Sequence, residues 1–507
     1  MSREPPRLAS TTSLCPRCLE PVPGHYEARG GDVYLARTCP DHGGSSRQVW
    51  GSIDHWEWVR EFGPTVEGDP DTGAPDCCGT GGDCGTRDDT APDPDTGDLT
   101  VDNDHACLAV VEVTEDCNLS CSYCFASSGP GGRERPFEEV VDLFDTVRRG
   151  GGPRPLQLSG GEPTVRDDLP ALIERAREMG FEHVQVNTNG LRLAGEDGYA
   201  ERLADAGLTA IYLQFDGLSP ETYEAIREVD IADEKRSAVA ACRRADLPVV
   251  LVPTVVPGVN DNEMGDVVRF ALDNRDVVAS VNFQPVAHFG RYESHDGRFS
   301  LDQAASRLAE QMDAVDARDL LPIPCCSSYC QLATALLPDG DDGAVPLTGF
   351  LGPDALDSLS GMVDEADWLE LMAGTPVGGA TACSAAGCCG LDAAVPGDAD
   401  DLLDAVLPVS ITGFMDADAA DADRLENCCI SVPTPDGDLV PFCAYNMTTE
   451  DGRYALRERY GWGGRSSVEA DTPPSGADGE SGDGDETAPG HGAASARLDA
   501  AGGEGAE

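Results

Sequence analysis

Apolar residues follow two different periods along this chain, and their alternation divides it into segments. Leu108–Val113 is an unbroken β-branched run, which predicts a buried strand. Over Phe137–Arg149 the apolar positions recur every three to four residues, which predicts a helix. The same alternation predicts strands at Leu156–Leu158, His183–Asn187, Ala210–Phe215, Val249–Val256 and Val277–Pro285. Between them lie helical patterns at Asp167–Met179, Tyr199–Ala206, Ala232–Arg244 and Asp261–Asn274. Six such strand–helix units require parallel strands joined by crossover helices, and so an α/β sheet. Upstream, Val33–Thr38 and its neighbours predict a short hairpin. Arg87–Asp104 is Asp-, Thr- and Pro-rich with no apolar period, and reads as a loop or acidic insertion. From about Gly463 the chain is Gly-, Ser-, Asp- and Glu-rich, the composition of a solvated tail. These changes place boundaries at 1–104, 105–300, 301–462 and 463–507.

The first strand runs into Cys117-Asn118-Leu119-Ser120-Cys121-Ser122-Tyr123-Cys124, a C-x3-C-x2-C pattern. A four-iron cluster takes one thiolate per iron, so three closely spaced cysteines leave the fourth iron open to a ligand. An open position separates a catalytic metal site from a closed structural one. Structural zinc or disulfides are the plain alternative for three cysteines taken alone. The spacing, with Tyr123 before the last cysteine, resembles the radical S-adenosylmethionine (SAM) superfamily. The resemblance implies a partial (β/α)6 barrel and a [4Fe-4S] cluster chelating SAM. An electron from that cluster then cleaves SAM to a 5′-deoxyadenosyl radical that abstracts hydrogen from C–H bonds.

Ser159-Gly160-Gly161-Glu162-Pro163, one unit downstream, resembles the motif with which that superfamily cradles the methionine amino group, with Glu162 facing the ammonium. Asn189 in Asn187-Thr188-Asn189-Gly190 and Gln214 in Gln214-Phe215-Asp216-Gly217 stand at strand ends, where the superfamily holds SAM. Asp216 and Asn260 are weaker candidates, because Asp-Gly and Asn-rich ends are also ordinary turn chemistry. Cys242, within a predicted helix, reads as a buried thiol.

The chain has 20 cysteines and opens on a polar stretch, which favours metal over disulfides. Cys15-Pro16-Arg17-Cys18 and Cys39-Pro40-Asp41-His42-Gly43 form two facing turns. They resemble a rubredoxin or zinc ribbon with Cys15, Cys18 and Cys39 as ligands and His42 or a later cysteine as the fourth. Thiolates suit both metals, so mononuclear iron and zinc stay open. Cys77, Cys78 and Cys84 are further candidates to complete it. Late cysteines follow at Cys326, Cys330, Cys383, Cys388, Cys429 and Cys443, the last on the outgoing strand of a hairpin turned at Asp436-Gly437. That arrangement resembles the C-terminal auxiliary-cluster domains of several radical SAM enzymes and implies auxiliary [4Fe-4S] clusters.

Charge then narrows the partners. Lys plus Arg number 35 against 92 Asp plus Glu, a formal net charge of −57. Such a surface repels nucleic acid, whose binding needs cations on phosphates. Acidity spread over every segment fits a salt-rich, halophilic cytosol, since at about 1 M salt the Debye length falls to ~3 Å. No stretch approaches the ~20 apolar residues of a membrane span, so the expected location is cytoplasmic, at most peripheral to a membrane.

The knuckle, the barrel and the late cysteines together resemble the tetraether lipid synthase family, from about Cys15 to Asn446. Pro253-Thr254-Val255-Val256 and Pro441-Phe442-Cys443-Ala444-Tyr445-Asn446 carry the most specific echoes. Ser327-Ser328-Tyr329 stands between Cys326 and Cys330 where that family has a His-Pro pair. The resemblance implies C–C coupling of isoprenoid lipid chains at a membrane surface, with electrons from a ferredoxin or flavodoxin. Two other classes stay open: a peptide- or cofactor-maturing radical SAM enzyme, and a non-catalytic iron–sulfur electron carrier.

Overall fold

Four short antiparallel strands open the fold: β1 (Arg7–Leu14), β2 (Pro21–Arg29), β3 (Asp32–Cys39) and β4 (Gly43–Trp50), paired in sequence order. The expected hairpin is thus half of a four-stranded sheet. The computed structural model of the chain describes residues 5–62, 107–292, 298–323, 327–339, 343–350, 406–454, 456, 457 and 460. Helix α1 (Ile53–Arg60) follows, capped by Ser52, which accepts from the His55 N–H. Trp50 and Trp56 are buried and Trp58 packs against the core partly buried; Trp56 stacks on Tyr329 with ring centroids 5.5 Å apart.

The strand–helix alternation is realised almost where the periodicity puts it. In order come β5 (Leu108–Thr114), α2 (Phe137–Arg149), β6 (Leu156–Gly160), α3 (Leu169–Glu178), β7 (Val184–Thr188), α4 (Leu191–Gly195) and α5 (Tyr199–Asp205). Then follow β8 (Ala210–Gln214), α6 (Pro220–Arg227), α7 (Ala232–Arg244), β9 (Val249–Val252), β10 (Thr254–Val255), α8 (Met264–Asp273) and β11 (Val278–Pro285). Strands β5, β6, β7, β8, β9 and β11 lie side by side in that order, all parallel. This is the partial (β/α)6 barrel. Both faces of β5 are buried along its whole length, which is why it reads as a continuous apolar run rather than an alternating one. The expected strand Val249–Val256 is broken at Pro253, which has no N–H for the ladder.

Beyond the barrel come α9 (Leu301–Ala309), β12 (Leu321–Pro322), β13 (Gln331–Asp339), β14 (Gly343–Pro346) and β15 (Leu407–Thr412). Helix α10 (Ala422–Glu426), β16 (Ile430–Pro433), β17 (Leu439–Pro441) and α11 (Phe442–Asn446) complete the described chain. These strands continue the barrel sheet: β15 pairs parallel with β11 at one edge, and β16 pairs parallel with β5 at the other. The hairpin at Asp436-Gly437 is present between β16 and β17. Its outgoing strand, however, ends at Pro441, so Cys443 sits on α11 and not on a strand. The reason is burial: Phe442, Cys443, Ala444, Tyr445 and Asn446 are all buried, so no alternation favours a strand, and Asn446 Nδ2 donates to the Phe442 carbonyl one turn back.

Candidate cluster and cofactor site

At the carboxyl ends of the barrel strands, where parallel α/β sheets gather ligands, lies a cavity of about 210 Å³. Cys117, Cys121, Cys124, Tyr123, Gly160, Gly161, Glu162, Asn189 and Gln214 all line it. The fold therefore brings together the whole of the core set named from sequence. Gly160, at φ +123°, lies so close to β5 that an added Cβ would sit 2.2 Å from the Thr114 carbonyl oxygen. Only glycine permits that approach. The next two N–H groups donate to the cysteine loop's approach, Gly161 to Thr114 at 2.7 Å and Glu162 to Asp116 at 2.8 Å. The glycine pair thus docks one strand end onto the segment that carries the cysteines.

Glu162 is buried, and its carboxylate gathers the neighbouring strand end. Oε1 accepts from the hydroxyls of Thr164 and Thr188, each at 2.6 Å, and Oε2 from the Asn189 N–H at 2.7 Å. Asn189 Nδ2 in turn donates to Asn118 Oδ1 inside the cysteine loop at 2.7 Å. Asp216 and Asn260 have structural work. Asp216 takes the Arg227 guanidinium through two bonds of 2.7 and 2.8 Å. Asn260 ties the Asp216 and Thr254 carbonyls together, each at 2.8 Å.

Two cations that the periodicity did not single out organise this floor. Arg227, on α6, donates to the Tyr123 carbonyl at 3.1 Å and stands beside Cys121. Lys235 has no exposed surface and donates to the Asn189 carbonyl at 2.5 Å and to Gln214 Oε1 at 2.8 Å. A signal for Lys235 was present: it shares the stripe of Ala232, Ala238, Val239 and Cys242, a lysine on an apolar helix face. Cys242 is a buried thiol in that stripe, as expected.

Burial pushes the Lys235 ammonium down to about 7, with Asp216 opposing and Arg227 adding to the shift. Its ordinary value is 10.5, so between these values the unfolded chain binds more protons and stability rises with pH. Below about 7 the lysine is charged in both states and its slope disappears. Lys235→Met should therefore flatten the rise by up to about 1.4 kcal/mol per pH unit. Denaturant titrations of both proteins at pH 7 and 9 test this; parallel pH slopes would assign Lys235 ordinary basicity.

Burial pushes the Cys117 thiol up to about 12, the Glu162 carboxylate adding to it, and burial raises Cys121 as well, opposed by Arg227. Loading metal here must therefore expel protons. Among the described residues, the group of Cys, His or carboxylate ligands with all ligand atoms within 4.8 Å of one another is Cys15, Cys18, Cys39 and His42. A single zinc needs such convergence at ~2.3 Å per thiolate, whereas a four-iron cluster puts each thiolate on a different iron. The more widely spread Cys117 triad in an open cavity fits the cluster. His42 completes the N-terminal knuckle, with Nδ1 3.5 Å from Cys15 Sγ and 3.4 Å from Cys39 Sγ.

Of the late candidates, Cys330 Sγ accepts from Arg424 at 3.2 Å, and Cys443 Sγ accepts from the Met415 N–H at 3.4 Å. Cys429 is buried next to Cys107, whose N–H donates to the Cys429 carbonyl. Cys326, Cys383 and Cys388, with Cys77, Cys78 and Cys84, lie outside the described residues.

Comparison with known proteins agrees with this geometry. Residues 111–271 match the radical SAM superfamily, and residues 7–51 match the HMPTM N-terminal zinc ribbon domain. The knuckle is thus a zinc ribbon. The chain is 32% identical over 490 residues to a 7,8-dihydro-6-hydroxymethylpterin dimethyltransferase of Methanocaldococcus jannaschii, covering 86% of this chain and 93% of that protein. It is 31% identical over 214 residues to a probable GTP 3′,8-cyclase of Methanothermobacter thermautotrophicus, covering 42% of this chain and 68% of that protein. Among solved structures, Streptococcus suis SuiB bound to S-adenosylmethionine is similar at 16% identity and a TM-score of 0.35, covering 41% of this chain and 47% of that one.

Proposed function

The chain belongs to the 7,8-dihydro-6-hydroxymethylpterin dimethyltransferase family of radical SAM enzymes, and we propose that it turns radical SAM chemistry on isoprenoid lipid chains, activating their C–H bonds and joining their carbons. Cys117, Cys121 and Cys124 hold the [4Fe-4S] cluster, and Tyr123, Gly160, Gly161, Glu162, Asn189 and Gln214 hold SAM. When bound, the two together supply a carbon radical able to remove hydrogen from an unactivated C–H bond. The chain's own residues orient the cofactor, keep water out and present the substrate.

One observation carries the substrate class. Part of the cavity lining is apolar: Leu108 and Val110 of β5, with Phe125, Phe289, Phe414 and Phe442. The phenylalanines form a chain, with centroids 5.7 Å apart for Phe125–Phe442, 5.2 Å for Phe414–Phe442 and 6.5 Å for Phe289–Phe414. An alkyl chain gains ~25 cal/mol per Å² by covering such a wall. A heteroaromatic ring would strand polar atoms there, at about 1–3 kcal/mol each. A second reading, pterin methylation, draws on the name of the Methanocaldococcus relative and on the amides of Gln157, Asn187 and Gln284, which line the same cavity.

Anaerobic incubation of the reconstituted holoprotein with SAM and dithionite, in molar KCl to suit the acidic surface, separates the two. A diether lipid with isoprenoid chains should accelerate 5′-deoxyadenosine formation and yield a product lacking the abstracted hydrogens. Acceleration by 7,8-dihydro-6-hydroxymethylpterin alone, with a methylated pterin as product, would replace the lipid reading. Phe414→Gln should reduce lipid product by about tenfold while sparing substrate-free SAM cleavage, since it puts an unpaired amide into the apolar wall. Equal loss of both activities would place Phe414 in cofactor binding instead. The reduced electron donor in the cell is of the ferredoxin or flavodoxin class on this reading.

A further inference from the structure

Around the third cysteine the chain closes one turn of its own, the Ser127 N–H donating to the Cys124 carbonyl at 3.1 Å, and takes further donors from elsewhere. Four consecutive carbonyls accept from four distant residues. Tyr123 accepts from the Arg227 guanidinium at 3.1 Å and Cys124 from the Arg291 N–H at 3.0 Å. Phe125 accepts from the Tyr454 hydroxyl at 2.5 Å, and Ala126 from Arg457 at 3.1 Å. The Arg291 side chain then spans the loop, Nε donating to the Cys121 carbonyl at 2.5 Å and Nη2 to the Ser128 carbonyl at 3.0 Å. Arg291 also lines the cavity.

These donors come from three places far from the cysteines in sequence: Arg227 from α6, Arg291 from beyond β11, and Tyr454 and Arg457 from further on. Arg291 follows β11, and its backbone exchanges both hydrogen bonds with Cys124, at 2.8 and 3.0 Å. Gly290 before it has φ +56°, and a Cβ there would meet the Tyr454 hydroxyl at 2.2 Å and the Cys124 carbonyl at 2.6 Å. Tyr454 and Arg457 come from the C-terminal end of the described chain and are buried. Arg457 lies under the rings of Tyr454 and Tyr445, 5.0 and 5.3 Å from their centroids, and pairs with the buried Glu112 of β5. Tyr445 donates to the other Glu112 oxygen at 3.2 Å. The strand that launches the cysteine loop and the segment that leaves it are thus held by one buried group of side chains.

We propose that Arg291, Tyr454 and Arg457 are positioning residues for the catalytic cluster: together they form a clasp that fixes the cysteine loop, and the Arg291 charge sets the cluster's reduction potential. Reduction adds negative charge to the cluster, and a guanidinium bonded to the carbonyls of its own loop stabilises that added charge. Hydrogen bonds, net charge and exposure are the terms that tune such clusters. The Cys124 carbonyl keeps the Ser127 N–H in any case, whereas the Tyr123, Phe125 and Ala126 carbonyls take these donors from outside the loop, so without the clasp they would turn to water.

The test uses the reconstituted holoprotein and substrate-free SAM cleavage, so it does not depend on whether a lipid or a pterin is the substrate. Arg291→Gln should keep the wild-type iron content, shift the cluster midpoint potential to more negative values in an EPR-monitored titration, and slow SAM cleavage by about 10- to 100-fold. Arg291→Lys keeps the charge but loses the two-carbonyl fork, so it should restore the potential while leaving cleavage slow. Tyr454→Phe should leave the potential in place and speed hydrogen exchange of the Cys124–Ser128 amides. A wild-type potential in Arg291→Gln would overturn the electrostatic role. Unchanged exchange in Tyr454→Phe, or parallel loss of iron and of thermal stability in both Arg291 variants, would overturn the clasp as a positioning device.

Discussion

Cys121→Ala should abolish reductive SAM cleavage while leaving the protein folded. One thiolate binds each of three irons and the fourth iron stays open, so removing one cysteine leaves two irons without protein ligands. The side chain lost is small, and a buried Cys to Ala change of this kind costs about 1 kcal/mol of stability, far short of unfolding a domain. The measurement is 5′-deoxyadenosine formed under anaerobic, reducing conditions, together with iron per chain. Cys242→Ala is the control: that residue is also buried, in α7, and lines no part of the cavity. It should lose a similar amount of stability and no turnover. Persistent cleavage in Cys121→Ala would move the cluster away from this triad.

Asp216→Ala should be among the most destabilising single substitutions in the barrel. The Asp216 side chain has no exposed surface and Arg227 retains 8%. Their two hydrogen bonds of 2.7 and 2.8 Å are joined by a third to Asp216 from the Thr254 N–H at 3.1 Å. Removing the carboxylate strands a guanidinium in the interior, which costs about 3–5 kcal/mol. The urea midpoint should fall accordingly. The double variant Asp216→Leu with Arg227→Met takes out both charges and should regain most of that stability. It should not regain SAM cleavage, because Arg227 also holds the Tyr123 carbonyl between the second and third cysteines. A single variant as stable as wild type would show that water or the cluster thiolates already compensate Arg227.

The order in which these two effects separate chemistry from stability follows the fold. The cysteines hang from a loop at the end of β5, where substitutions touch the reaction first. Asp216 sits one layer beneath, between β8 and α6, where the cost is paid in folding. Lys235 lies in the same layer but is held by neutral acceptors, so its effect is a pH slope and not a collapse.

The barrel was legible because each of its units carries a local signal. The helices Phe137–Arg149 and Ala232–Arg244 stand where their periodicity puts them, and β5 announces itself as a run buried on both faces. The cysteine triad and Gly160-Gly161-Glu162 were legible for a similar reason: ligand spacing and glycine pairs are local properties. What was not legible depends on partners far away. Nothing in Leu407–Thr412 says that it pairs with β11 beyond the barrel, and nothing in Phe442–Asn446 says that its uniform burial turns it into a helix.

The sequence by itself determined the alternating architecture, the three-thiolate motif and the glycine-bearing strand end, because strands, helices and chelating loops are specified within a few residues. Only the tertiary structure decided that Asp216 belongs to Arg227, that Lys235 lies under Asn189 and Gln214, and that Arg291 and Tyr454 hold the cysteine loop. The physical reason is the cost of a buried polar group, which must find a partner wherever the chain can bring one. An irregular loop at the end of a strand has no local ladder to supply it, so its donors come from residues hundreds of positions away.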